Sequence, residues 1–164
     1  LKSAALRPSF VLWLALCCLL LNGADSRAQP ANAQPTQAPT GMVKRIAGTV
    51  TLERAGTTGP LSVGQFVRAG DTLRTGADGA VGVTLADDTL VTLGVNSELV
   101  LSAYSFDSTT QDGNVLVSLW RGTAAIVTGL IGKKAPEKVQ VQTRTMVLGV
   151  RGTEFIVDAQ PGKP

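Results

Sequence analysis

From Met42 onward, apolar side chains recur at every second residue, and no segment repeats them at helical spacing. Val81, Val83 and Leu85 alternate with Gly82 and Thr84, and Val115, Val117 and Leu119 alternate with Leu116 and Ser118. Val139 and Val141 alternate with Lys138, Gln140 and Gln142; Phe155 and Val157 alternate with Glu154, Ile156 and Asp158. A period of two sends alternate side chains to opposite faces of an extended chain, so each run predicts a strand with one buried face. Aromatics make up only 4% of the chain, which leaves Val, Leu, Ile and Ala to build the core.

Turn residues separate these runs. They cluster at Gly56 to Pro60, Gly64-Gln65, Ala69-Gly70-Asp71, Ala77-Asp78-Gly79, Asp87-Asp88, Asn96-Ser97, Gln111 to Asn114 and Gly132 to Pro136. Asp78-Gly79 between apolar runs reads as a hairpin turn, because both residue types tolerate positive φ. Arg121-Gly122 reads as a break between two apolar strands. Gly149 and Gly152 interrupt a β-like run and predict bulges or close backbone approach. The expected fold is all-β, with short antiparallel strands in a compact sandwich or solenoid-like stack.

The first 28 residues read differently. Lys2 and Arg7 precede an apolar run from Phe10 to Leu21, which Asn22 and Gly23 end. As a helix that run spans about 18 Å, too short for a hydrocarbon core of about 30 Å but suited to a signal-peptide core. Ser26-Arg27-Ala28 places small residues for cleavage before Gln29, with cleavage after Ala24 as the alternative. An uncleaved anchor fits such a short run less well. A lipoprotein through Cys17 or Cys18 is disfavoured because Leu16 stands where a small residue is required. Residues 29–41 (QPANAQPTQAPTG) read as a disordered tether, and 42–164 as the folded domain.

Charge and residue content remove several functions. Outside the first 28 residues 12 basic and 11 acidic side chains remain, a net of +1, so no basic stripe is available for nucleic acid. The chain has no histidine, and both its cysteines lie in the signal-like run. The commonest general base, metal ligand and thiol nucleophile are thus missing from the domain. Asp71, Asp78, Asp87, Asp88 and Glu98 are the acids left for catalysis, and most sit at turns, where Asp is favoured for backbone reasons. No enzyme activity, metal or cofactor is expected.

Four segments in order carry a resemblance: GDTLRTGADGAVGVTLADDTLVTLG from Gly70, NSELVL from Asn96, LVSLWRGTAAIV from Leu116, and VLGVRGTEFIV from Val147. Together they resemble the FecR domain, the periplasmic domain of iron dicitrate transport regulators, over about 70–157. The resemblance marks Gly70, Asp71, Asp78, Gly79, Asn96, Arg121, Gly122, Gly149, Arg151, Gly152, Glu154 and Phe155 as motif residues with structural roles; the residues themselves place Arg151 to pair with Glu154 across a bulge, with contact to a ligand as the alternative. Asp87-Asp88 departs from the Asp-Gly that similar sequences carry, so a different turn type is expected there.

Regulators of this family resemble a three-part design, with a cytoplasmic anti-sigma segment, a membrane helix and this domain. A signal peptide in place of the first two implies the sensory domain alone, periplasmic or secreted. It is expected to contact an envelope protein without staying inserted in the membrane. A structural or adhesive scaffold of the envelope is the alternative.

Overall fold

A computed structural model describes residues 38–149 and 153–159. The expected signal peptide, the tether up to Gln37, and Arg151 and Gly152 lie outside the described residues. The strands run in the order β1 (Gly41–Ala47), β2 (Val50–Arg54), β3 (Thr57–Pro60), β4 (Phe66–Val67), β5 (Thr72–Thr75) and β6 (Ala80–Leu85). They continue as β7 (Leu90–Leu93), β8 (Glu98–Phe106), β9 (Gly113–Val127), β10 (Val139–Gln142), β11 (Val147–Gly149) and β12 (Glu154–Ala159). The fold is all-β. The alternation holds where it was predicted: Val81, Val83, Leu85, Val115, Val117, Leu119, Val139 and Val141 are all at most 3% exposed. Burying each Val or Leu of this kind is worth about 1.5–3 kcal/mol.

One sheet, creased along a line, forms the domain. Its main path is β3-β2-β5-β8-β9-β7-β6-β1-β4. The 15-residue β9 belongs to both halves: its first part pairs with β8 and its second with β7. Around it the halves curl toward each other over one core. Val67, Leu73, Val83, Leu85, Leu99 and Val117, drawn from both halves, line a single narrow interior gap.

Four of the crossings between the halves lie together: β1 to β2, β5 to β6, β7 to β8, and the bend within β9. They stack along the crease. The Gly76 N–H donates to Thr49 O (2.8 Å), the Asn96 N–H to Gly76 O (2.9 Å) and the Gly94 N–H to Thr123 O (2.9 Å). Each corner thus satisfies backbone groups of the next.

This corrects two expectations. Ala77-Asp78-Gly79 is a corner and not a hairpin turn, since β5 pairs with β2 and β8 while β6 pairs with β1 and β7. Arg121-Gly122 does not separate two strands either. One strand runs through both residues, with Gly122 at φ 81°, while its partner changes from β8 to β7. A residue inserted opposite Glu98 and Leu99 makes a bulge there, and bulges bend strands.

Smaller departures follow from local geometry. Thr57–Pro60, read as turn, is mostly strand β3 paired with β2, leaving Ala55-Gly56 as the turn. Gly132 to Pro136, also read as turn, contains much of a five-residue helix α1 (Leu130–Lys134), followed by a 3-10 turn at Pro136–Lys138. A helix of little more than one turn has no room to show a period. These elements return the chain so that β10 lies parallel to β9, Val139 beside Val115. A parallel neighbour needs such a crossover. Part of the segment read as tether belongs to the fold: Thr40 is 4% exposed, and its N–H donates to Val67 O at 2.9 Å.

Candidate functional site

The motif residues gather mainly along the crease. The Asp78 carboxylate accepts the Thr49 N–H at 3.2 Å, joining the first two corners. Gly79 has no positive φ. A Cβ there would lie 2.3 Å from Thr49 O and 2.7 Å from Gly76 N, so the close approach of backbones excludes any side chain. Asn96 takes the left-handed conformation (φ 51°), which Asn tolerates better than most residues. Ser97, buried beneath it, receives the Thr123 N–H on its hydroxyl (3.0 Å), and its own N–H donates to Thr75 Oγ1 (2.8 Å). Gly122 packs on Ser97 with φ 81°. Arg121 is exposed opposite Glu98. Beside it Arg74 bridges Glu53 and Glu98, the latter at 3.0 Å, which makes a row of alternating charge across β2, β5 and β8. The two carboxylates hold the Arg74 guanidinium above its ordinary pKa through hydrogen bonding.

At the opposite end of β5, Gly70 is exposed in the turn and Asp71 is 1% exposed. The Asp71 carboxylate accepts Arg54 Nε (2.8 Å), Arg54 Nη2 (2.6 Å) and the Arg68 N–H (2.7 Å). Arg54 Nη2 also donates to Phe66 O at 3.0 Å. One bidentate pair therefore ties β2, β4 and the start of β5 together. Its hydrogen bonds to Asp71 raise the Arg54 pKa.

A third cluster holds the β6–β7 turn. Asp87 is fully buried and accepts Thr89 Oγ1 (2.7 Å) and the Tyr104 hydroxyl (3.3 Å). Tyr104 in turn accepts the Asp87 N–H (2.9 Å), and the Gly129 N–H donates to Thr89 Oγ1 (3.0 Å). The turn thus fastens to β8 and to the segment after β9. Asp88 adopts the left-handed conformation (φ 65°), a region that Gly enters most readily and Asp tolerates.

Tyr104 is the single tyrosine of the chain, and burial followed by the Asp87 charge raises its pKa. A raised phenol pKa keeps the folded state neutral while the unfolded chain ionises near 10. Stability is therefore full below about pH 10 and falls as pH climbs past it. Absorbance at 295 nm should show no phenolate in the native protein at pH 10.5, and ionisation near pH 10 in denaturant. Native titration at the ordinary value would refute this.

A family model described as FecR protein matches residues 71–164, more than half of the chain. The chain belongs to the FecR family. No curated protein and no solved structure matches it. The FecR match opens at Asp71, yet β1 and β2, which precede it, supply the outer neighbours of β6 and β5. In this chain the FecR domain is closed by residues from Thr40 to Gly70.

The remaining motif residues fall at the last strands. Gly149 pairs with Gln140 in β11, and a Cβ there would meet nothing within 4 Å, so neither a bulge nor a close approach explains it. Phe155 is half-buried against the core, opposite Ile126. Glu154 is exposed opposite Val127, and its expected partner Arg151 is outside the described residues. Among the described residues no three metal-ligating side chains converge, and no helix is long and apolar enough to cross a membrane.

Sequence reasoning missed Arg54 and the Tyr104–Asp87–Thr89 cluster, whose members meet only when distant strands pack. It placed Ile156 outward correctly, but did not single out an isoleucine 70% exposed between two acids. That signal was readable.

Proposed function

We propose that this FecR domain is a non-catalytic binding or signal-relay module of the bacterial periplasm, contacting an envelope protein. Membership of the FecR family over 71–164 carries the reading. The chemistry of the domain supports it. Asp71 and Asp87, the most buried acids among the described residues, spend their oxygens on Arg54, Thr89 and Tyr104, which supports scaffolding over service as a base. The sequence contains no histidine to serve instead. The signal-like run from Phe10 to Leu21 supports export.

Photo-crosslinking in intact cells tests it, with the photoreactive residue placed at exposed positions such as Asn96, Arg121 or Ile156. A discrete adduct with an envelope protein is the expected result. Adducts with cell wall alone, at every position, would replace relay with the scaffold reading.

A further inference from the structure

Four described strands have a strand neighbour on one side only: β3, β4, β11 and β12. The first ends in Pro60, the second spans two residues and the third spans three. β12 offers six residues and pairs only with β9, Ile156 opposite Ala125 and Val157 opposite Ala124.

The hydrogen-bond register decides what that edge presents. The Thr128 N–H donates to Thr153 O at 2.8 Å, which fixes Thr153/Thr128 as a hydrogen-bonded pair. In an antiparallel ladder such pairs alternate with pairs whose N–H and C=O groups point away. Phe155 and Val157 therefore bond to β9, while Glu154, Ile156 and Asp158 turn their backbone groups to the open edge. Their side chains also share the outer face, where Ile156 is 70% exposed and Leu90 and Val127 extend the apolar surface across β7 and β9. Among the described residues neither Glu154 nor Asp158 has an ion-pair partner.

We propose that β12 is the docking edge, taking an added strand from a protein that carries basic side chains on either side of an apolar one. Free backbone groups supply affinity, and the acid–isoleucine–acid row selects the partner. A second copy of the chain is a poor occupant. Two β12 strands centred antiparallel on Ile156 would set Glu154 against Asp158 twice, and like charges directly opposite destabilise. The proposal rests on the binding reading above and names the partner's chemistry.

The probe is a fluorescein-labelled peptide, acetyl-Thr-Lys-Thr-Val-Thr-Lys-Thr-amide, with a control in which Glu replaces both Lys. Both are titrated against the full chain, with amide hydrogen exchange followed in parallel. The Lys peptide should bind about tenfold more tightly and slow exchange at Glu154, Ile156 and Asp158. Glu154→Lys with Asp158→Lys should reverse the preference. Ile156→Pro, which removes an outward N–H and the exposed apolar side chain but no hydrogen bond to β9, should abolish binding with an unchanged far-ultraviolet spectrum. Equal binding of both peptides, protection on another edge, or dimers protected at β12 would overturn the proposal. Loss of the peptide preference while the cellular adduct persists would sink this surface alone. Peptide binding without any envelope adduct would sink the relay reading and leave the edge in place.

Discussion

Gly122→Ala should cost on the order of 4 kcal/mol, enough to leave little folded protein at 37 °C in a domain stable by about 5–15 kcal/mol. The added Cβ would lie 2.2 Å from Ser97 Oγ and 2.6 Å from Ser97 Cα. Backbone atoms cannot yield as a flexible side chain would. A non-glycine residue held at φ 81° adds about 1–2 kcal/mol. Displacing Ser97 also breaks its hydroxyl's hydrogen bonds to the Thr123 N–H (3.0 Å) and Thr123 O (3.2 Å), each worth about 1 kcal/mol. Gly149→Ala is the control, because its Cβ would meet nothing within 4 Å. It should shift stability by no more than about 0.5 kcal/mol. Urea titrations of both variants measure the difference, and similar midpoints would mean that the stacked corners do not hold the crease.

Asp71→Asn should lose about 2–3 kcal/mol, and Arg54→Met somewhat more, because the two substitutions strand different partners. The Asp71 side chain is 2% exposed and Arg54 34% exposed. Without Asp71 the guanidinium recovers some water; without Arg54 the carboxylate stays buried with only the Arg68 N–H within 2.7 Å. Breaking a buried pair from one side typically costs about 3–5 kcal/mol, and partial exposure of Arg54 lowers that. The double variant should be more stable than the sum of the single losses implies, with a coupling of about 1–3 kcal/mol in denaturant titrations. Additive losses would show the pair to be incidental. Arg74→Ala should cost under about 1 kcal/mol, because its three-charge row lies at the surface.

Much of the fold was legible from alternation alone. Val115, Val117 and Leu119 had to share a face if extended, and so did Val139 and Val141. The family motif was legible too, as four ordered segments. The job done by its residues was not. Asp78-Gly79 has the local chemistry of a hairpin, yet it turns a corner between two sheet halves, because strand pairing is settled by the whole core and not by the turn. Arg121-Gly122 looked like a break and proved to be a bend within one strand. In both cases the glycine's reason lies in another part of the chain, at Thr49 or Ser97, which no reading of neighbours can supply.

By itself the sequence determined which side chains face inward, since period two and apolar content leave an extended chain only one way to hide its Val and Leu residues. It determined as well that this core is aliphatic and that histidine and thiol chemistry are missing from it. Tertiary structure alone decided where the sheet creases, which carboxylate meets Arg54, and which strand keeps an open edge. Those outcomes depend on distances between residues far apart in the chain, and such distances exist only after the halves have closed on one another.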